Sequence, residues 1–178
     1  AHTVLVVGKT CQNLPWESLP CLEKCSVSRM PSLKLLLESL KNHRPKDRAR
    51  MELDISKPGY YILNPGQDLT RTQDAFEEKL KQNLTSWTAR VGEPPTESEY
   101  LDGLIHSDLF IYIGHGGGEH YVRNSKLKKI PNLEQNTLKK DCAAALLLGC
   151  SSGSLSDNGQ LEPNGTVFSY LIAGSPMI

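Results

Sequence analysis

Neither sign of charge dominates this 178-residue chain: 20 Lys and Arg stand against 20 Asp and Glu, and the pI is about 7.1. No basic patch emerges, which argues against nucleic acid or an anionic membrane surface as a direct partner. No apolar run reaches the length of a membrane span. The first residues, Ala1-His2-Thr3-Val4-Leu5-Val6-Val7, lack the basic flank and the length of a secretory signal. The five cysteines (11, 21, 25, 142 and 150) are odd in number and irregularly spaced. That usage fits a reducing compartment better than a disulfide scaffold, and in such a compartment the sequons at Asn83 and Asn164 carry no weight. There is no internal repeat and no low-complexity segment. Disorder is excluded as well, because 38% of residues are hydrophobic, charge is balanced and aliphatic clusters recur. What remains is one domain with a real core.

The aliphatic clusters fall into a pattern. Val4–Val7, ended by Gly8, reads as a buried strand, and the polar, proline-bearing stretch from Thr10 to Ser28 reads as loop. Pro31 opens a helix whose Leu33, Leu36, Leu37 and Leu40 share one face. The charged run from His43 to Arg48 is a surface connection. Tyr60–Leu63 is a second strand, closed by Asn64-Pro65-Gly66. Thr70 and Gln73 have capping-box spacing before a helix carrying Phe76, Leu80 and Leu84. Gly92-Glu93-Pro94-Pro95 is loop, and Glu97 to His106 a short helix. Leu109–Ile113 is a third strand, 124–136 a Lys-rich surface excursion, Ala143–Leu148 a fourth strand, and 165–173 a helix with Val167, Tyr170 and Leu171 inward. Strands alternating with helices predict an α/β domain with a mainly parallel sheet, whose ligand site lies at the C-terminal strand ends. The last residues, from Tyr170 to Ile178, form an apolar segment, which predicts a fold that continues past Ile178.

Two of those strand ends carry chemistry. Phe110-Ile111-Tyr112-Ile113 runs into Gly114-His115-Gly116-Gly117-Gly118, and Ala143–Leu148 runs into Gly149-Cys150-Ser151-Ser152-Gly153. A thiol attacks as thiolate and needs an imidazole or a lowered pKa. Cys150 is the candidate nucleophile. His115 is the candidate general acid for the leaving amine, with the base role open to it as well. The N–H groups of Gly116 and Cys150 are candidates for the oxyanion hole. Cys142, at the start of the same strand, reads as core. Glu119 and His120 flank the histidine loop and are candidates for substrate contact, as is Ser151 through the substrate backbone. Trp16 and Glu17 read as packing and loop-fixing residues, Asp108 as a cap or surface group, and Lys126, Lys128 and Lys129 as a solvated face.

Competing readings share these letters. Gly149-Cys150-Ser151-Ser152-Gly153 also fits G-x-S-x-G with Ser151 as nucleophile, and His115-Gly116-Gly117-Gly118 fits a lipase-type oxyanion loop. That serine esterase needs a helix directly after Ser151, whereas 154–165 carries Asp157, Asn158, Gly159, Pro163 and Asn164. It also needs a histidine after the serine, and none follows His120. A third reading is a catalytically silent binding domain. A metal site from His115, His120, Cys142 and Cys150 lacks ligand-pair spacing, and the glycine run lacks the Lys-Ser/Thr of a phosphate loop.

Six segments together resemble the catalytic domain of the separases, caspase-like cysteine endopeptidases. They are Pro15-Trp16-Glu17-Ser18-Leu19-Pro20, Ser26–Leu33, Tyr60–Pro65, Gly114–Gly118, Leu148–Ser152 and Tyr170–Pro176. The resemblance covers nearly the whole chain, which reads as one protease domain over 1–178, truncated at its C-terminal end. It implies a caspase-hemoglobinase-like sandwich, with His115 and Cys150 matching the family's dyad and with no metal or organic cofactor. It also implies cleavage after Arg in the kleisin subunit of cohesin, which releases sister chromatids at anaphase, and a securin-like inhibitor lying in the cleft. The setting implied is cytoplasm and nucleus, at spindle and chromosomes in mitosis. In this family a Trp-Asp-rich stretch follows the Gly-Ser/Cys-Pro segment and is a place for the carboxylate that pairs with the P1 guanidinium. The pocket for that arginine is therefore expected to be incomplete within these residues.

Overall fold

The computed structural model describes residues 2–42, 53–130, 142–160 and 163–178. Its centre is a four-stranded, all-parallel sheet of order β4-β3-β5-β6, built from β3 (Tyr60–Leu63), β4 (Thr88–Val91), β5 (Leu109–Ile113) and β6 (Ala144–Leu148). A separate parallel pair joins β1 (His2–Leu5) to β2 (Ser26–Arg29). The helices are α1 (Leu33–Asn42), α2 (Thr70–Asn83), α3 (Glu97–His106), α4 (Asn124–Leu127) and α5 (Thr166–Ile172).

The sheet sorts its side chains by the twofold alternation of a strand. Tyr60, Ile62, Phe110, Tyr112 and Ala145 point to one face. There they pack with Tyr100 and Leu104 of α3, Leu127 of α4 and Tyr170 of α5. Tyr61, Leu63 and Ile113 point to the other and meet Leu84 and Trp87, with Leu80 of α2 alongside. Layers on both faces are what a parallel sheet requires, because its crossovers place helices there. Over β6 the second face is open, with Leu146 and Leu148 exposed.

Several expectations change. The first strand begins at His2 rather than Val4 and is mostly exposed, because its neighbour is only β2. Residues 26–28, expected as loop, pair together with Arg29 as β2. Strand β4 was not expected, because Thr88-Ala89-Arg90-Val91 has no apolar alternation, yet β3 pairs with it residue for residue. The capping box at Thr70 does not form: the N-cap is Leu69, without a side-chain bond. Gln73 is drawn away to the Asn64 amide (2.8 Å) and to Glu77 (2.9 Å). The capping box that does form is Thr96 with Glu99 on α3. Helix α1 exists, but Leu33, Leu37 and Leu40 of its apolar face are exposed. The excursion begins with α4, which buries Leu127, and Ile130 is buried too. The remainder of that stretch and the charged run 43–48 lie outside the described residues.

Four buried tyrosines crowd one face of the sheet, and three of them set a pH limit. Desolvation pushes the hydroxyl of Tyr100 well above its ordinary value of 10.0, and it also pushes up Tyr112 and Tyr170. A raised folded-state pKa on an acid contributes stability that is fully present below the unfolded pKa and is lost as pH rises from there through the folded pKa. Stability is therefore expected to be insensitive to these groups below about pH 10 and to fall above it. Denaturant midpoints should then drop together with a cooperative rise in phenolate absorbance. Phenolate forming before any unfolding in an amount beyond what the partly exposed Tyr121 supplies would contradict the buried placement.

Candidate active site

The geometry of the site follows from strand register. Along the β5–β6 pair, Ile113 stands opposite Leu148. Each strand then continues through one glycine to its reactive residue, Gly114 to His115 and Gly149 to Cys150. The two segments touch at once. A Cβ on Gly149 would lie 2.7 Å from the Gly114 carbonyl oxygen and closer still to that of Gly116. Glycine is needed there so that one backbone can lie against the other. The structure thus brings together the His115 loop and the Cys150 turn, the two segments singled out in the sequence.

The histidine loop is anchored from below by phenols. Tyr112 donates to the His115 carbonyl at 2.7 Å. Tyr170 donates to the Gly117 carbonyl at 3.1 Å and pairs with Tyr100 at 2.6 Å. Gly118 adopts φ 86°, and a Cβ there would collide with the Tyr100 hydroxyl, so loop and tyrosines fit only with glycine at 118. Glu119 folds back to accept the Gly117 N–H at 2.6 Å. Its carboxylate therefore braces the loop. His120 is exposed beside it.

Cys150 is exposed, whereas Cys142 is buried in the core. The residues after Cys150 form a turn, closed by Ser152 N–H to Gly149 O (3.1 Å) and Ser154 N–H to Ser151 O (3.0 Å). Ser152 Oγ donates back to the Leu147 carbonyl at 3.1 Å. Ser151 sits exposed in this turn, and the next helix begins only at Thr166. The strand–turn–helix geometry of a serine nucleophile elbow is not formed.

One group at the site was missed in the sequence. Asp68 Oδ2 lies 2.8 Å from His115 Nε2. It comes from the turn after β3, forty-seven residues upstream, and its only sequence signal was an acid just past the C-terminal end of a parallel strand.

A cleft of about 1010 Å³ opens on the other side of Cys150, between the β1–β2 pair and α5. Leu155, Val167, Phe168 and Leu171 line it, as do Glu17 and Arg29. Glu17 is held by Arg29 at 2.6 Å, and Arg29 also donates to the Gln12 and Leu14 carbonyls. Trp16 Nε1 donates to the Cys11 carbonyl at 2.8 Å. The 12–17 loop is thus fastened to β2 by an ion pair and two carbonyl contacts, all from Arg29. Among the described residues no cluster of His, Cys, Asp or Glu could hold a metal ion, and no helix is long and apolar enough to cross a membrane.

Comparison with known proteins places these features in context. The family model described as Separin, protease domain, matches residues 1–178. The chain is 42% identical to a separin of Emericella nidulans over 177 residues, 99% of this chain and 8% of that protein. It is 42% identical to the Schizosaccharomyces pombe separin (100% and 9%) and 34% to that of Mus musculus (99% and 8%). The chain therefore spans about a tenth or less of these relatives. Among solved structures, the Saccharomyces cerevisiae separase–securin complex at 3.0 Å superposes with a TM-score of 0.85 at 36% identity, over 99% of this chain and 11% of the matched one.

Proposed function

The chain belongs to the separin protease-domain family, and from that premise we propose that it is the peptide-cleaving part of a cysteine endopeptidase, with Cys150 as nucleophile and His115 as its proton-exchanging partner. The observation that carries this reading is the pairing of Ile113 with Leu148, which sets the imidazole and an exposed thiol on adjacent strand ends with Gly149 against the His115 loop. In this mechanism the Cys150 thiol gives its proton to His115, the thiolate sulfur bonds to the scissile carbonyl carbon, and the carbonyl π pair moves onto oxygen. The Gly116 and Cys150 N–H groups receive that oxyanion. Collapse breaks the C–N bond, and the amine leaves with a proton from His115. Water then attacks the thioester and gives a proton to His115, and the carboxylate product departs as sulfur is released.

The relatives are named separins, and the solved complexes pair separase with securin. On that basis the substrate is the kleisin subunit of cohesin, cut after Arg, and a securin-like chain is the inhibitor. In this proposal the site of action is cohesin-bearing chromosomes, in cytoplasm and nucleus at mitosis. Ser151 and His120, both exposed beside the two reactive residues, are the groups assigned to contact with substrate.

The test uses the full-length protein and two peptides, one containing Glu-x-x-Arg and one with Ala in place of Arg. Cleavage after Arg only, and its loss after iodoacetamide treatment, is the expected result. Equal cleavage of the Ala peptide would overturn the P1 assignment. Activity that resists the alkylating agent but yields to a fluorophosphonate would transfer the chemistry to Ser151.

A further inference from the structure

We infer that Asp68 is the third member of the site, a positioning residue that holds the His115 imidazole by Nε2 and leaves Nδ1 to exchange the proton with Cys150 and the leaving amine. The inference rests on the peptidase reading above and extends it.

The contact is a 2.8 Å hydrogen bond between His115 Nε2 and Asp68 Oδ2. An ionised carboxylate can only accept, so Nε2 carries the proton and the lone pair of a neutral ring resides on Nδ1. The bond therefore selects a tautomer and fixes the plane of the ring. Two half-exposed side chains, 55% and 59% accessible, gain little stability from such a contact. The turn that delivers Asp68 is nevertheless heavily determined. Asn64 is buried and adopts φ 51°, a region that asparagine tolerates better than most residues. Its N–H donates to the Ile113 carbonyl at 2.8 Å, one residue before Gly114-His115. Its side-chain oxygen accepts the Leu69 N–H at 2.9 Å, and its amide donates to Gln73 at 2.8 Å. Gln67, at φ 64°, closes the turn onto the Asn64 carbonyl at 3.1 Å. Asp68 is thus suspended between Gln67 and Leu69, both tied to Asn64, and Asn64 is itself tied to the strand that ends at His115. A Cβ at Gly66 would lie 3.1 Å from Asp68 Oδ1 and 4.0 Å from His115 Cδ2, so a side chain there would crowd the carboxylate and just touch the ring. A strained, buried asparagine that aims one exposed carboxylate at one exposed imidazole is an arrangement for orienting the ring.

The experiment compares full-length wild type with Asp68→Asn, Asp68→Glu and Cys150→Ser, measuring peptide cleavage and, without substrate, the rate at which iodoacetamide alkylates Cys150. Asp68→Asn is expected to lower kcat by roughly 10- to 100-fold, less than the ~10⁴-fold effect of a buried triad carboxylate because this one is solvated. KM should stay within about twofold, the alkylation rate should fall in parallel, and Asp68→Glu should recover part of both. Unchanged kcat and alkylation would overturn the inference. So would a rise in KM alone, which would make Asp68 a substrate contact. If wild type cleaves and Cys150→Ser does not, the peptidase reading stands whatever Asp68 does. If alkylation leaves wild-type cleavage untouched, the reading fails and this inference falls with it.

Discussion

Replacing Cys150 by serine is expected to abolish peptide cleavage, by about 10⁴-fold or more, while leaving the fold as it is. The side chain is exposed and the change exchanges one small group for another, so stability should move by no more than about 0.5 kcal/mol. The chemical loss is large because a serine hydroxyl is not appreciably ionised near neutrality. It would need its proton removed in the attacking step, whereas a thiol can wait as thiolate beside an imidazole. The variant also separates the two nucleophiles in the turn. Ser151 is untouched, so cleavage or esterase activity that survives in Cys150→Ser would belong to the hydroxyl. Residual cleavage within tenfold of wild type, measured alongside an unchanged melting curve, would remove Cys150 from the mechanism.

The next largest effect is expected at Gly149, which bears no functional group. A methyl group there meets two backbone carbonyl oxygens, those of Gly114 and Gly116, and backbone on both sides leaves no flexible side chain to swing aside. Gly149→Ala should force the ends of β5 and β6 apart. Overpacking of this kind costs about 1–3 kcal/mol, visible as a lowered denaturant midpoint. A displacement of about 1 Å between thiol and imidazole costs on the order of 10²-fold in rate. The activity loss should therefore persist at temperatures where the variant is fully folded. A variant with normal activity and a normal midpoint would mean that the two strand ends are not in contact.

What could be read in the sequence follows the strength of the local signal. Tyr60–Leu63, Leu109–Ile113 and Ala143–Leu148 are uninterrupted apolar runs, and they supply three adjacent strands of the sheet, β3, β5 and β6. The short strands Ser26–Arg29 and Thr88–Val91 carry a single branched aliphatic residue each, Val27 and Val91, so pairing with a neighbour more than propensity makes them strands. Arg90 illustrates the point: its guanidinium is held by Glu93 and Glu99, partners invisible to a periodicity argument. The capping box was misplaced for a similar reason, since Gln73 has the right spacing from Thr70 but a better acceptor geometry with Asn64. At the site, His115 and Cys150 announced themselves because each follows an apolar run through a single glycine. Asp68 did not, because its meaning arises only when the turn after β3 is bonded to the end of β5. Glu119 was legible as a neighbour of the loop, but its bond to the Gly117 N–H depends on a backbone bend that no letter in the sequence specifies.

The strand that delivers Cys150 spells Ala-Ala-Leu-Leu-Leu, and a sequence so nearly self-similar is a poor ruler. Sliding β6 by one position against β5 would exchange alanine for alanine or leucine for leucine at most places, yet it would carry the thiol about 3.3 Å along the strand and turn it to the opposite face. The side chains of the run hardly oppose that slip; the features flanking it do. Gly149 can enter the notch between two carbonyls only in one alignment, and Ser175 Oγ reaches the Ala143 carbonyl at 2.7 Å from the far end. Alignment is thus enforced at both tips of a strand whose middle is indifferent, so a chain that closes one notch too early would be compact, soundly hydrogen-bonded and chemically silent.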